Sequence, residues 1–482
     1  MSSRGAPFPC HSEERRSLVI PRSEATRNLV PFPEGNQIPR FARDDRKRAR
    51  ARDDRKRARA RDDGLESYNP RAVELRPFRS IRYSRATIAA RGLDALIAPP
   101  GAPADSAPAE NVAVLTSSSD PEAAAATLKA WLASGILEKE RRPGLWSYRQ
   151  TFDYAGATLV RDALVGLVRL GGIEKGPVLH LEEPDVALRE RPLVLLRSLK
   201  ADFSMPLVLT HAPLAGPLTT RRKPDLSATD GTGTRHDAFR ITDYAAHVEL
   251  QGLVKNAEAI IAEGLDLFEA AIEYSKDPAA AKFQGAKYKL CAIVDADSPG
   301  LVVAPVHRLV SGVADWNPRD LLYAANDFFE VRQFASAGEA VAALEILSRV
   351  RPAFVLVAPP EKPALLALRD RPDALPWPDG RSDAWRAVDA AALEVAFFSR
   401  LLAIGPEALA RGENVAFTAD RSEALAAVER GEAQAAILLR PMAVSEIDTV
   451  VHAGESLPRR AATFLPPLFA GLFAYSLEDP VY

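Results

Sequence analysis

The stretch Ala262-Glu-Gly-Leu-Asp-Leu-Phe-Glu-Ala-Ala271, continued by Ile272, is the most informative part of this chain for both fold and function. Leu265, Phe268 and Ile272 recur at helical spacing, which predicts an amphipathic helix with its apolar face in the core. Asp266 adds an anion near the start of that helix, and no histidine or arginine accompanies it.

The composition is that of a soluble globular protein with more than one lobe. The chain has 482 residues, too many for one small core, and its 47% hydrophobic and 26% charged residues are ordinary values. Its 38 prolines predict many short elements joined by rigid turns.

Strand and helix patterns interleave along the chain, so the sequence predicts a mixed α/β (α+β) fold. Asp120-Pro121 and Gly135 are typical start and stop signals of a helix. Further predictions are strands over residues 144–152, 157–170, 354–358 and 435–439, a hairpin over 287–309, and a helix over 384–402.

Several function classes are disfavoured by what the sequence lacks. Cys10 and Cys291 are the only cysteines, so we expect neither a disulfide framework nor a metal site. No apolar run reaches the roughly 18 residues that span a bilayer, and no secretory signal is recognisable. We therefore expect a cytoplasmic protein without membrane contact.

The first seventy residues differ from the rest in charge. They hold 17 Lys and Arg against 11 Asp and Glu, whereas the remaining 412 residues hold 45 against 53. Much of the basic excess lies in a nine-residue tandem repeat, Arg43-Asp-Asp-Arg-Lys-Arg-Ala-Arg-Ala, which recurs at Arg52 and begins again at Arg61.

Three interpretations of residues 1–70 stay open. We favour a translated intergenic repeat upstream of a native start near Arg71, and rank a disordered but genuine leader second. An arm that binds nucleic acid ranks last, because the repeated Asp pairs repel phosphate and no aromatic residue is interleaved for base stacking.

Segments beyond the opening stretch show a resemblance to a known family. They are, in chain order, LRPFRSIRY, LVRLGGIEKGPVLH, LVLLRSLKADFSMPLVL, DSPGLVVAPVHRLV, GENVAFTADRSEALAAVERGEAQAAILLRP and LPRRAATFLPPLFAGL. Together they resemble the bacterial and archaeal domain of unknown function 1015 over residues 73–477. We expect an N-terminal α/β lobe over 71–335 and a helix-rich C-terminal lobe over 336–482.

The resemblance implies that a polar motif has been lost. The family typically reads Asp-Gly-His-His-Arg-Tyr-Glu-Thr-Ala where this chain keeps Gly264, Glu269 and Ala271. Both histidines and the arginine are replaced by residues 265–267. The family form is similar to the phosphate-binding box of ParB-like proteins, in which a helix N-terminus cradles a nucleotide phosphate. Gly264 and Glu269 are thus candidate cofactor-binding residues.

Four further residues are candidates for catalysis through the resemblance. His180 and Glu182 could form an acid/base pair, although a satisfied structural histidine is the simpler interpretation. His307 and Arg308 lie where the family usually has Thr-His-Arg; Arg308 could bind phosphate, or could pair with a buried acid.

Two functional hypotheses follow. The first is a diverged, non-catalytic binding or regulatory protein whose partner is a small molecule or another protein. The alternative is an active ParB-like, nucleotide-dependent phosphotransferase linked to serine metabolism, which rests on family analogy. A nucleotide cofactor is expected only under the alternative. Binding of nucleic acid is disfavoured because the body of the chain is acidic.

Mass spectrometry of the N-terminus of the native protein tests the preferred interpretation of residues 1–70. We expect the first detected residue to lie near Arg71. A peptide that covers residues 40–63 in the native protein would contradict the upstream mis-start.

Overall fold

The computed structural model describes residues 73–171, 178–369 and 375–482. Strands and helices interleave throughout these ranges, which confirms the mixed α/β prediction. Residues 1–70, for which a disordered leader was one prediction, lie outside the described residues. The division into lobes at residue 335 stays a prediction.

A nine-stranded sheet forms the larger layer. Its strands are β1 (Leu75–Arg76), β4 (Leu145–Tyr154), β5 (Ala157–Arg169), β6 (Val178–His180), β8 (Leu207–Thr210), β9 (Leu226–Thr229), β10 (Arg235–Ile241), β11 (Ala259–Glu263) and β12 (Tyr288–Asp295). They pair in the order β6-β11-β8-β12-β5-β4-β10-β9, with β1 added to β5. The β6–β11 and β8–β12 pairs are parallel, and the other pairs are antiparallel.

A six-stranded antiparallel sheet and three small ribbons complete the strands. The sheet contains β14 (His307–Val310), β15 (Phe329–Gln333), β16 (Ala353–Val357), β17 (Ala364–Leu368), β18 (Val415–Thr418) and β19 (Ala435–Leu438). The ribbons pair β2 (Ile81–Tyr83) with β3 (Leu137–Lys139), β7 (Ala201–Asp202) with β21 (Tyr475–Ser476), and β13 (Val302–Pro305) with β20 (Ala462–Leu465). The six strands pair in the order β15-β17-β16-β19-β14-β18.

The α-helices of the described residues lie between these strands. They are α1 (Arg85–Arg91), α2 (Ala113–Thr116), α3 (Pro121–Ser134), α4 (Val186–Leu199), α5 (Ala215–Leu218), α6 (Tyr244–Lys255), α7 (Leu265–Lys276), α8 (Pro318–Ala325), α9 (Ala337–Leu347), α10 (Asp383–Arg386), α11 (Asp389–Ala392), α12 (Pro406–Arg411), α13 (Arg421–Glu429) and α14 (Val444–His452). Within the described ranges, no helix is long and apolar enough to cross a membrane.

Local sequence signals explain several of these elements. The side chain of Asp120 accepts hydrogen bonds from the N–H groups of Glu122 and Ala123 at 3.0 Å, and Gly135 ends α3 at φ +77°, as predicted. The strands predicted at residues 144–152 and 157–170 are β4 and β5. Their turn, Ala155-Gly156, has positive φ at both residues, which suits the twist of a two-residue hairpin.

The core joins strands and helices from distant parts of the sequence. Phe354 of β16 packs edge-on against Phe329 and Phe397, with ring centroids 5.2 and 5.4 Å apart. Every residue of β19 is buried, as is nearly all of β16, which confirms the two short buried strands predicted near these positions. Because such strands are covered on both faces, their sequences are continuous runs of apolar residues.

Two predictions about the second half of the chain are wrong. The hairpin over residues 287–309 does not form: β12 pairs with β5 and β8, while β13 and β14 pair elsewhere. The backbone at Gly300 instead packs directly on β5 at Val160. The helix over residues 384–402 is divided into α10, α11 and a π-helix, Leu393–Leu401.

Gly300→Ala should destabilise the protein by about 3 kcal/mol or prevent folding, because a Cβ there would lie 1.8 Å from the Val160 carbonyl oxygen. Urea unfolding measures the effect. Gly231→Ala is the matched control, since nothing lies within 4 Å of its added Cβ, and its change should stay within about 0.5 kcal/mol. Equal stability of the two variants would contradict the close approach.

Candidate functional site

The carboxyl ends of β6 and β11 form the edge at which the sequence-predicted residues collect. The two strands are parallel, with His180 opposite Ile261. Helix α4 follows β6 and helix α7 follows β11, so both helices begin at this edge. Ligands of open α/β sheets bind in such positions, outside the carboxyl ends of parallel strands.

Gly264 connects β11 to α7 and has a conformational reason to be glycine. Its φ is +76°, in the left-handed region that L-residues with a side chain rarely adopt. An added Cβ would also lie 3.0 Å from the Cα of Pro206. The backbone therefore accounts for this residue without a bound ligand.

The N-terminus of α7 is occupied by the chain's own groups. The carboxylate of Asp266 interacts with the N–H groups of Leu267 and of Asp266 itself, in the first turn of the helix. Burial raises the pKa of Asp266, opposed by the N–H of Leu267 and by the charge of Lys289. An anion of the protein thus lies where the macrodipole would otherwise attract a ligand anion.

The predicted amphipathic helix is confirmed in α7. Phe268 is buried, and Leu265 and Ile272 pack against the cluster of apolar residues beneath the large sheet. Leu265 therefore has a packing role.

A cavity of about 90 Å³ lies beside Leu267. Leu195, Leu196 and Leu199 of α4 line one wall, and a buried ion pair between Lys289 and Asp202 lines another. The Nζ of Lys289 donates to both carboxylate oxygens and to the Ser204 carbonyl, each at 2.8 Å. All three ammonium hydrogens are thus used. Ligand pockets usually measure about 300–1,000 Å³, so this cavity is far too small for a nucleotide.

His180 and Glu182 lie close together but do not form the predicted acid/base contact. The Nδ1 atom of His180 lies 2.6 Å from the backbone carbonyl of Glu182 and 3.3 Å from the hydroxyl of Ser456. The Glu182 carboxylate instead accepts a hydrogen bond from the N–H of Arg460 at 2.8 Å. Burial raises the pKa of Glu182. Glu269 is near enough for His180 to influence its carboxylate. Burial raises the pKa of Glu269, and the charge of Arg189 opposes that rise most.

His307 and Arg308 are neighbours on β14 and therefore point to opposite faces of its sheet. The Nδ1 of His307 accepts a hydrogen bond from the N–H of Leu439 at 3.2 Å, and burial lowers its pKa to about 4. The imidazole is therefore neutral, and this arrangement gives it a structural role.

Arg308 is fully buried and faces the strand-end edge. One of its terminal nitrogens, Nη1, donates to the Val306 carbonyl, and the guanidinium lies over the Phe417 ring at 5.4 Å. Nη2 is buried without a hydrogen-bond partner among the described residues. Burial lowers the pKa of Arg308 to about 10, opposed by the carboxylates of Glu394 and Glu182. The structure thus brings Arg308 and Glu182 into one electrostatic cluster.

Glu394 belongs to this cluster and escaped the sequence analysis. It lies on the π-helix, a rare backbone form often found at functional sites. Burial raises its pKa to about 7, and the charge of Arg308 opposes the rise. An acidic residue within an apolar helical pattern gives no local signal that it faces an arginine far away in sequence.

Residues 455–465, here called the C-terminal strap, cover the carboxyl ends of β6 and β11. Besides the Arg460–Glu182 bond, Arg459 forms an ion pair with Asp185 at 2.6 Å. The buried Glu263 carboxylate accepts hydrogen bonds from the Thr463 hydroxyl and the Phe464 N–H, both at 2.7 Å. Glu263 is a second functional candidate that sequence reasoning missed. Its partners lie about two hundred residues away.

Residues 75–391 match a protein family described as a protein of unknown function (DUF1015). The chain belongs to the DUF1015 family. The match covers β1 to α11 and therefore includes His180, Gly264 and Arg308. The resemblance predicted for segments beyond residue 391 stays a prediction. No curated protein matches this DUF1015 member.

Solved structures show only weak similarity to this DUF1015 member. A conserved hypothetical protein from Pyrococcus furiosus is 14% identical, covers 63% of this chain and 93% of its own, and has a TM-score of 0.32. A free serine kinase in complex with AMP is 13% identical, with coverages of 60% and 85% and a TM-score of 0.33. C-terminally truncated SbnI from Staphylococcus aureus is 11% identical, with coverages of 66% and 87% and a TM-score of 0.32. These values support no conclusion about activity.

Glu394→Gln should flatten the pH dependence of stability. A carboxyl whose folded pKa is about 7, against an ordinary 4.5, stabilises the fold at low pH and loses that contribution as the pH rises through 7. The unfolding free energy of the unmodified protein should fall between about pH 5.5 and pH 8 as this carboxyl ionises. In the variant, the fall over the same range should be smaller by about 1–2 kcal/mol. Urea titrations at both pH values measure this difference.

Glu407→Gln is the control for that experiment, because Glu407 is exposed on α12. Its pH dependence should equal that of the unmodified protein. If Glu394→Gln behaves in the same way as this control, the Glu394 carboxyl does not titrate near neutrality.

Proposed function

We propose that this chain is a non-catalytic member of the DUF1015 family that acts by binding a small molecule or a protein partner. The observation that carries the proposal is the first turn of α7. Where the family motif offers two histidines and an arginine, this chain has Leu265, Asp266 and Leu267. Leu265 packs into the core, and Leu267 lines a small, largely apolar cavity.

The energetics of phosphate binding support this proposal. A phosphate at the N-terminus of α7 would meet the Asp266 carboxylate, at a cost on the order of a few kcal/mol. The Asp266 carboxylate already interacts with the N–H groups of Leu267 and of Asp266 itself, which belong to the first turn that would cradle the phosphate. The nearest buried ammonium, Lys289, has no hydrogen left to donate. A cytoplasmic location is part of the same proposal.

An active nucleotide-dependent phosphotransferase linked to serine metabolism is the second candidate. Two of the four buried guanidinium nitrogens that lack a hydrogen-bond partner among the described residues favour it, namely Nη2 of Arg308 and Nε of Arg189. Arginine binds phosphate well because its donors form a planar fork. This candidate requires a phosphate position at Arg308 or Arg189 that differs from the first turn of α7.

Thermal unfolding of the full chain with ATP, ADP or CTP and magnesium separates the two candidates. We expect no shift with any nucleotide, because the helix N-terminus carries an internal anion. A ligand at a hundred times its dissociation constant would stabilise the fold by about 2.7 kcal/mol, an effect that is easily detected. A shift that disappears in Arg308→Ala would instead favour the second candidate.

A back-substituted variant tests the physical reason for the expected result. Leu265→His, Asp266→His and Leu267→Arg together restore the cations of the family motif, so this triple variant should gain a nucleotide-dependent shift. Leu267→Met is the matched control, and circular dichroism checks the fold of both. A folded triple variant without any shift would show that the missing cations do not explain the loss of binding.

A further inference from the structure

His211, in the turn after β8, lies between two carboxylates. Its Nδ1 is 3.0 Å from Oδ2 of Asp297, and its Nε2 is 3.0 Å from Oδ2 of Asp448. A neutral imidazole carries one N–H and can donate to only one of these acceptors. The imidazolium form satisfies both. Asp297 lies in the turn after β12 and Asp448 on α14, so the ring ties α14 to the large sheet.

His452, at the end of α14, also has a hydrogen-bond acceptor beside each ring nitrogen, one of them a backbone carbonyl. Its Nδ1 lies 2.6 Å from the Asp448 carbonyl oxygen, and its Nε2 lies 2.6 Å from Oε2 of Glu258. Both neighbours accept hydrogen bonds, so this ring also satisfies its contacts only when doubly protonated. Glu258 directly precedes β11. The two histidines thus fasten one helix at two points.

We propose that His211 and His452, with Asp297, Asp448 and Glu258, form a pH-sensitive latch that holds the C-terminal strap over the strand ends. The strap begins three residues after α14, and its movement is therefore tied to that helix. When the His211 ring loses its second proton, it loses one hydrogen bond and its attraction to the two carboxylates. The strap then opens more often, and the carboxylates of Glu182 and Glu263 become accessible to solvent.

The direction of the pH effect follows from the surroundings of His211. The hydrogen bond to Asp297, followed by the Asp448 charge, raises the pKa of His211, against the effect of burial. Because the pKa of this histidine is raised in the folded state, its stabilising contacts are fully formed below the ordinary pKa of about 6.5. They are lost as the pH rises through the pKa of the folded state. The latch therefore closes in mildly acidic conditions and loosens in alkaline ones.

The expected size of the effect is modest, because both rings are partly exposed, at 44% and 41%. Exposed ion pairs change an equilibrium by at most about fivefold each. Two such contacts acting on one helix can alter the open population of the strap by about tenfold. That change is large enough to regulate access without unfolding the core.

Hydrogen–deuterium exchange of the full chain at about pH 6 and pH 8.5 tests the latch. After correction for the intrinsic pH dependence of exchange, peptides from residues 444–465 should exchange several-fold faster at the higher pH. Peptides from α9, which contacts neither histidine, should show no such change. Equal corrected protection of residues 444–465 at both pH values would overturn the proposal.

The double variant His211→Gln and His452→Gln assigns the effect to these rings. It should exchange rapidly in residues 444–465 at both pH values. A pH dependence equal to that of the unmodified protein would overturn the assignment. Arg411→Gln is a control, since its partners Glu407 and Glu413 are local.

Asp297→Asn keeps the test decisive if the double variant does not fold. It removes one of the two negative charges beside His211 at an exposed position while the amide oxygen can still accept a hydrogen bond, so it should reduce the pH effect partway. An undiminished effect in this variant would contradict the role of His211. These exchange measurements need no ligand, and their outcome is independent of the nucleotide experiments.

Discussion

A buried carboxylate must accept hydrogen bonds, and this requirement organises the strand-end edge of the large sheet. An isolated charge inside a protein costs several kcal/mol unless donors surround it. Glu182, two residues after β6, and Glu263, the last residue of β11, lie beneath the C-terminal strap, and backbone N–H groups of the strap supply donors to both. The path of residues 455–465 is therefore fixed by the needs of two acids that precede it by about two hundred residues or more.

The same requirement is met at two other buried charges. Lys289 and Asp202 satisfy each other together with Ser204, and Arg161 donates to Gln150 and to the carbonyls of Leu465 and Pro466. These groups hold the fold and leave nothing for a ligand. Arg308 differs, because Nη2 lacks a partner within the described part of the chain. If any cation at this edge still meets a ligand, Arg308 is the strongest candidate.

Elements with complete local signals could be predicted from the sequence. The Asp120 cap, the proline after it and Gly135 bound α3 as expected, and the apolar spacing of α7 was sufficient to predict its packing. The hairpin predicted over residues 287–309 was wrong, because a strand pattern in the sequence does not reveal which strand it pairs with. β12 pairs with strands more than seventy residues earlier, which only tertiary packing selects.

At the candidate site, too, the sequence predicted some features and could not predict those that depend on tertiary packing. Family resemblance drew attention to His180, Glu182 and Arg308, and the structure places them near one another. It could not indicate that the His180 ring meets a carbonyl, nor that Glu394 joins the cluster with Arg308 and Glu182. Those facts depend on side-chain direction and on contacts between segments far apart in sequence, and a single sequence contains neither.

The pairing of early and late segments has a consequence for how the molecule assembles. The carbonyl of Ala474 bonds the N–H of Ile81, β21 pairs with β7, and the strap closes the ends of β6 and β11. During synthesis, the first strands would wait for residues that emerge hundreds of positions later, so we expect a high contact order and slow folding. Until then, we expect unpaired backbone and apolar surface to stay exposed, which makes the incomplete chain prone to aggregation.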